Sequence, residues 1–288
     1  MMIMDSMELK GEDIRGIYPR RGGSSRKGDN GRALIVGGNW LYHGAPVLAG
    51  WAAVRVGIDL LFLAVPRPIA DPIRSFSPTF IVLPLPDYRF TKGSANRLIK
   101  MVPETDAMLV GNGFTREAEI GVTELLKKSA VRRLVLDAGA LYPEAIERLD
   151  GRETILTPHI GEFRRISSVD LSGSGLNERI KEVAKFAAQK GAVVVLKGQV
   201  DIISDGSETR LNRTGNAGMT VGGTGDALAG ACVAFLSRGV KPIHAAMLGA
   251  YFNGLAGDLA RSKMGYHFNA MDVIEQYPLA MKEFDVTD

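Results

Sequence analysis

Cysteine is almost missing from this chain: Cys232 is the only one among 288 residues. An intramolecular disulfide is therefore excluded, and the composition suits a reducing compartment. Cys232 lies in the apolar run Ala231-Cys232-Val233-Ala234, so it reads as a small buried hydrophobe rather than a nucleophile. Histidine is also scarce, with four residues and no paired spacing, which leaves no zinc signature. A dominant charge sign is lacking: 35 basic residues face 32 acidic ones, for a net charge of +3. That balance argues against a nucleic-acid partner. The local excess at Arg15, Arg20, Arg21, Arg26, Lys27 and Arg32 reads as a solvated segment. No apolar run is long enough to span a bilayer. The stretch from Met1 to Lys10 carries acids and lacks the apolar core of a signal peptide. A cytoplasmic protein without membrane contact is expected.

Hydrophobic residues make up 45% of the chain, enough for one large α/β domain or two small ones. Residues 1–30 are polar and Gly/Ser-rich, and read as a short helix near 11–17 followed by a loop. The apolar run 33–36 before Gly37-Gly38 has the pattern of a buried strand feeding a loop. A small-residue helix over 45–56 and a strand over 60–65 follow. The alternation predicts further strands over 79–83, 107–110, 133–137, 154–156 and 192–196. Helices are expected over 94–102, 117–129 and 177–190. A hairpin over 200–204 and 209–212 turns at Asp205-Gly206, and helices over 226–238, 242–263 and 270–284 complete the chain. Trp40, Tyr42 and Trp51, near the first crossover, are read as core, with an interface as the alternative. Strands alternating with helices imply a mostly parallel sheet covered on both faces. No linker marks a boundary, so residues 31–288 are expected to form a single domain behind the extension 1–30.

Five glycines and one acid crowd the stretch from Asn212 to Asp226, which runs directly into an apolar helical segment. Glycine lets a backbone curl and approach a ligand closely. The free N–H groups and the dipole of the following helix start favour negative charge, which together make a phosphate cradle of Gly222, Gly223, Thr224 and Gly225. Asp226 is repelled by a phosphate and is unlikely to serve binding alone; it is placed to take a proton from a hydroxyl attacking phosphorus. The duller reading makes Asp226 a helix cap. Other polar segments, Gly37-Gly38, Gly111 to Gly113, Asp137, Thr157 to Glu162 and Lys197 to Asp201, fall where strands end, the edge at which such folds collect ligands.

These segments together resemble the ribokinase-like superfamily and, within it, the ATP- or ADP-dependent NAD(P)H-hydrate dehydratases. The resemblance rests on Lys27-Gly28-Asp29-Asn30-Gly31, Gly44-Ala45-Pro46, Leu136-Asp137-Ala138, Leu156-Thr157-Pro158-His159-Ile160-Gly161-Glu162-Phe163, Leu196-Lys197-Gly198, and Gly215-Asn216-Ala217-Gly218-Met219 leading to Gly222-Gly223-Thr224-Gly225-Asp226. It implies a three-layer sandwich with helices on both faces of a mostly parallel sheet. It implies phosphorylation of the ring hydroxyl in the S form of NADHX or NADPHX, with ATP or ADP as donor, then elimination of phosphate to restore NADH or NADPH. Asp226 would be the base. Ala45, Gly113, His159 and Asp226 match positions that touch the hydrated dinucleotide. Lys197, Gly198, Gln199, Val200, Asp201 and Gly225 match positions that hold the nucleotide. Asn216 and Glu162 would help organise phosphate or Mg2+, with no direct protein ligand to the metal assigned.

Plainer roles stand beside these. His159 is able to cap the loop that follows Thr157-Pro158, Lys197 to be a solvated strand-end lysine, and Glu162 to be a helix N-terminal acid. An unusual backbone angle is expected at Gly225. Two features depart from the family's pattern. Gly111-Asn112-Gly113-Phe114-Thr115 stands where relatives commonly carry Gly-Pro-Gly-Leu-Gly, and no fused epimerase domain precedes the match. Epimerisation of the R hydrate is thus expected of a separate protein, and a homo-oligomer, with a tetramer as one form, is expected of this chain. The alternatives are a kinase of the same fold acting on a sugar, vitamin or thiazole alcohol, and a nucleotide sensor without catalysis.

Overall fold

The computed structural model describes residues 7–285. After helix α1 (Gly11–Ile17) the chain alternates strand and helix: β1 (Arg32–Val36), α2 (Gly44–Val56), β2 (Leu60–Pro66), α3 (Arg67–Phe76), β3 (Phe80–Leu85), α4 (Lys92–Met101) and β4 (Ala107–Val110). Then come α5 (Glu119–Lys128), β5 (Arg133–Leu136), α6 (Pro143–Ile146), β6 (Glu153–Leu156), α7 (Ile160–Ser167), α8 (Leu176–Lys190) and β7 (Val193–Leu196). The hairpin β8 (Asp201–Ser204) and β9 (Thr209–Asn212) leads to α9 (Thr224–Ser237), α10 (Pro242–Met264) and α11 (Ala270–Met281).

The nine strands form one sheet in the order β3-β2-β1-β4-β5-β6-β7-β8-β9. Strands β1 to β7 pair in parallel, and β8 and β9 are antiparallel. The central strands are apolar throughout because both faces are covered. Ala33 and Ile35 point into one core and Leu34 and Val36 into the other. The first core is closed by α2, α9, α10 and α11 through Ala49, Phe235, Phe252 and Tyr277; the second by α4 to α8 through Leu98, Leu126, Ile146, Phe163 and Phe186. This is the helix–sheet–helix sandwich that the resemblance implies.

Helix α9 lies deep in the molecule, with every residue from Ala227 to Ser237 buried. A helix apolar on all sides belongs inside. Small residues bring it against α2: a Cβ on Gly230 would sit 2.1 Å from the carbonyl oxygen of Ala49. Cys232 is fully buried on this helix, and burial holds its thiol far above the ordinary range. It is a packing residue, as expected.

Two helices, α3 and α6, were not foreseen from sequence, and α7 entered only through the reading of Glu162 as a helix N-terminal acid. In α3, Pro68 at the start and Pro72 within obscure an amphipathic turn whose Ile69, Ala70 and Ile73 are buried. The aromatic expectation is also corrected. Trp40 and Tyr42 are 67% and 52% exposed, and only Trp51 packs partly against the core. The first two ride on the β1–α2 loop, where the Asn39 side chain accepts from the N–H groups of Leu41 and Tyr42 and fixes the turn.

Candidate active site

Five parallel strands, β1 and β4 to β7, deliver their carboxyl ends to one edge of the sheet, and α9 starts there. Its N-cap is Gly223, with φ +100°, a conformation that L side chains rarely adopt. The strained angle therefore belongs to Gly223 and not to Gly225, which is helical. Gly225 matters for its bare face: a Cβ there would stand 3.4 Å from Nζ of Lys197. The first turn of α9 and the end of β7 thus face each other across a gap that a side chain would narrow. Asp226 is the third residue of the helix and not its cap.

Lys197 is not a solvated strand-end lysine. Its Nζ donates to Oδ1 of Asp137 at 3.1 Å and lies 3.7 Å from Oε2 of Glu162. Burial disfavours its charge, but Asp137, Glu162 and Asp226 outweigh that and hold its pKa above the ordinary value. Asp137, at the end of β5, is buried, and its Oδ1 also accepts from the Thr157 hydroxyl at 2.8 Å. Its Oδ2 accepts from Nδ2 of Asn112 at 3.0 Å. The same Nδ2 donates to Oδ1 of Asp226 at 2.6 Å. Burial pushes the Asp226 carboxyl up to about 7, and the charge of Asp137 adds to the shift. The Asn112 hydrogen bond and Lys197 oppose it, while Glu162 raises it further. A carboxylate poised there is suited to accept a proton near neutral pH.

His159 is the N-cap of α7, its Nδ1 accepting from the N–H groups of Gly161 and Glu162. Glu162 returns the bond through Oε2 to the His159 N–H at 2.9 Å. Both capping roles are therefore present, and both residues keep a second face. The exposed Nε2 of His159 is free of the cap and 3.6 Å from Oε1 of Glu162. His159 and Glu162 line a 380 Å³ opening with Arg116 and Arg165. Ala45 of α2 and Gly113 of the loop after β4 meet, and a Cβ on Gly113 would lie 3.1 Å from that of Ala45.

Lys197, Gly198, Gln199 and Val200 line a 280 Å³ cavity beside Leu176 and Arg179. Asp201 is turned inward: its Oδ1 accepts from the Gly198 N–H and its Oδ2 from Asn212, so it shapes this turn. Asn216 is likewise engaged within its own loop. Its Oδ1 accepts from the Gly218 N–H, and its Nδ2 donates to Asp258, which also accepts from the Gly215 N–H. Asn216 and Asp258 together pin the Gly-rich segment to α10. Among the described residues no three His, Cys, Asp or Glu side chains converge on a metal position. Magnesium would be held chiefly by nucleotide phosphate oxygens, a mode it commonly uses.

Asp137 and Asn112 are the polar centre of this site; the sequence placed both at the ligand-collecting edge of the sheet but gave neither a role. The signal for Asp137 was its place directly after an apolar strand. For Asn112 it was an amide set between two glycines at a strand end.

Comparison with known proteins identifies the family and the fold. A profile of the NAD(P)H-hydrate dehydratase family matches residues 33–279. The ADP-dependent (S)-NAD(P)H-hydrate dehydratase of Cenarchaeum symbiosum is 41% identical over 95% of this chain and 96% of its own length. The protein of the same description from Nitrosopumilus maritimus is 41% identical over 94% and 96%. A bifunctional NAD(P)H-hydrate repair enzyme from Pyrobaculum aerophilum is 39% identical over 92% of this chain but only 53% of its own. Among solved structures, the ADP/ATP-dependent NAD(P)H-hydrate dehydratase of Bacillus subtilis, co-crystallized with ATP and Mg2+, superposes with a TM-score of 0.82. It is 27% identical, over 96% of this chain and 98% of that one.

Proposed function

The chain belongs to the NAD(P)H-hydrate dehydratase family, and we propose that Asp226 drives its reaction by taking the proton of the ring hydroxyl of S-NADHX or S-NADPHX. The carrying observation is the placement of Asp226 in the first turn of α9, opposite Lys197 and bonded to Asn112. As the hydroxyl oxygen forms its bond to the terminal phosphorus of the nucleotide, the bond from that phosphorus to the departing nucleotide breaks, and Asp226 holds the released proton. Lys197 and the N–H groups of Gly223 to Asp226 face the charge that builds on the transferring group. Bound magnesium supplies further neutralisation of phosphate charge. Hydroxide leaves carbon poorly at neutral pH, whereas phosphate leaves well. The ring nitrogen lone pair expels phosphate, and loss of a proton from the adjacent ring carbon completes the reduced nicotinamide.

ADP is the expected donor, supported by the names of the two relatives at 41% identity. Lys197 to Val200 and Gly225 hold it in this reading, while Ala45, Gly113 and the Nε2 face of His159 meet the dinucleotide. The test incubates the chain with S-NADHX, magnesium and either ADP or ATP, following reduced-nicotinamide absorbance and free phosphate. Both should rise together. A stable phosphoester without regained absorbance would identify a kinase instead.

A further inference from the structure

Asn112 occupies a place that the transfer chemistry above does not use. It follows β4 between Gly111 and Gly113, whose φ values are +123° and +74°. Its carbonyl accepts from the Gly38 N–H at 2.7 Å, and the residue is fully buried. A Cβ on Gly111 would fall 1.9 Å from the carbonyl oxygen of Asp137, so the Asn112 loop lies directly on the end of β5. Both protons of its amide are used on carboxylates, Oδ2 of Asp137 at 3.0 Å and Oδ1 of Asp226 at 2.6 Å. Its own Oδ1 is buried with no partner among the described residues. A buried acceptor left unpaired is unfavourable. Turning the amide over would set that oxygen against two carboxylates, which is worse. The amide is therefore fixed in one orientation.

The geometry points to Asn112 as a positioning residue for the proton-accepting step: its amide grips Oδ1 of Asp226, aims Oδ2 at the substrate hydroxyl, and ties the base through Asp137 to Lys197. The proposal rests on the dehydratase reading for the step it serves, but the grip itself is a property of the free protein. The charged groups that face Asp226 are Asp137 at the end of β5, Lys197 at the end of β7 and Glu162 on α7. Among these, Lys197 alone favours the ionised base, and it is already bonded to Asp137 and close to Glu162. Among the described residues the Asn112 amide is the one side-chain donor bonded directly to Asp226, and it is neutral, so it supports the charge of Asp226 without drawing phosphate towards it.

Asn112→Leu, similar in volume but without a donor, tests this, and Asn112→Ser serves where the leucine does not fold. Expected in a folded variant is an unchanged nucleotide affinity with kcat at neutral pH lowered about tenfold to a hundredfold, the scale of a misplaced reacting group. The acidic limb of the rate profile should move to higher pH. The carboxyl carbon resonance of Asp226, labelled with ¹³C and assigned by its loss in Asp226→Asn, should titrate at higher pH in the free variant. An unchanged titration midpoint, or a loss confined to nucleotide affinity, overturns the proposal. Wild-type protein that fails to restore reduced nicotinamide would sink the dehydratase reading instead, and the carbon titration, which needs no substrate, would still decide the role of Asn112.

Discussion

Replacing Asp226 by asparagine should remove turnover and stabilise the fold, and the two effects should share one pH dependence. The carboxyl is moved from its ordinary 3.8 to about 7 in the folded chain, chiefly by burial and by Asp137. A raised carboxyl pKa means that the folded state holds the proton more tightly than the unfolded one. Stability is then unaffected below about pH 4, falls as pH rises through the gap, and is lowest above pH 7. A gap of about three units, at about 1.4 kcal/mol each, sets a ceiling of about 4 kcal/mol. The start of α9 favours the charged form by about 0.3–1 kcal/mol, which brings the expected cost to about 3 kcal/mol. The amide of Asp226→Asn keeps an oxygen for the Asn112 donor and has no charge to bury. Melting curves should therefore show the variant raised by about 6 °C at pH 8, with a smaller gain at pH 5. Turnover should fall about 10²- to 10⁴-fold, as for loss of a general base. In the wild type, kcat/KM should climb as pH rises through about 7, where the base loses its proton. A melting-point difference that does not change with pH, or near-normal turnover in Asp226→Asn, would refute the reasoning.

Three further substitutions probe the surrounding parts. Gly225→Val would place a branched side chain against Lys197, 3.4 Å from the first added carbon, so titration calorimetry should show nucleotide affinity lost with melting little changed; unaltered affinity would remove Gly225 from the cradle. Lys197→Met strands the buried Asp137 without its cation, which should cost about 3–5 kcal/mol in denaturant unfolding and weaken nucleotide binding; an unaffected unfolding midpoint would mean that the pair is not coupled. His159→Ala removes both a helix cap, about 1 kcal/mol of stability, and the exposed Nε2 face. Steady-state kinetics should show the hydrate KM raised more than the nucleotide KM, and equal damage to both would leave His159 a cap alone.

The layer structure was legible because the physics behind it is local. Uniformly apolar runs such as Leu61 to Val65 have no solvated face, and that requires helices on both sides of the sheet. The Gly-rich turn was legible for the same reason, since the residues that free the backbone and those that start the helix are adjacent. The extent of helix α7 was hard to read because its cap is a histidine, whereas the common capping residues are Ser, Thr, Asp and Asn. The exposure of Trp40 and Tyr42 was missed because hydrophobicity predicts burial only on average, and a turn fixed by Asn39 decides otherwise here. The least legible feature was the contact between Asn112 and Asp226, residues 114 positions apart. Sequence marked the loop from Gly111 to Thr115 as a departure from the family's pattern, but it could not say that the asparagine faces the base.

That contact bears on an electrostatic difficulty built into the site. Asp137, Glu162 and Asp226 surround one ammonium, Lys197, at the place where the proposed reading sets the nucleotide's phosphates. Three ionised carboxylates would leave the pocket with a net negative charge and oppose the nucleotide. Two features relieve this. The N–H groups at the start of α9 offer positive potential without a counter-ion. The raised pKa of Asp226 leaves it uncharged in about half of the free molecules at neutral pH, as a pKa of about 7 requires. The burial that delays ionisation of the base thus also lowers the repulsion met by the incoming phosphates. The base must then lose its proton within the assembled site, where Lys197 and the Asn112 amide are the groups that favour its charge. Removing the Asn112 amide would take one of these two groups from the base while leaving the nucleotide's own contacts in place. This explains why a fully buried amide with an unpaired oxygen is tolerated at the junction between the two carboxylates.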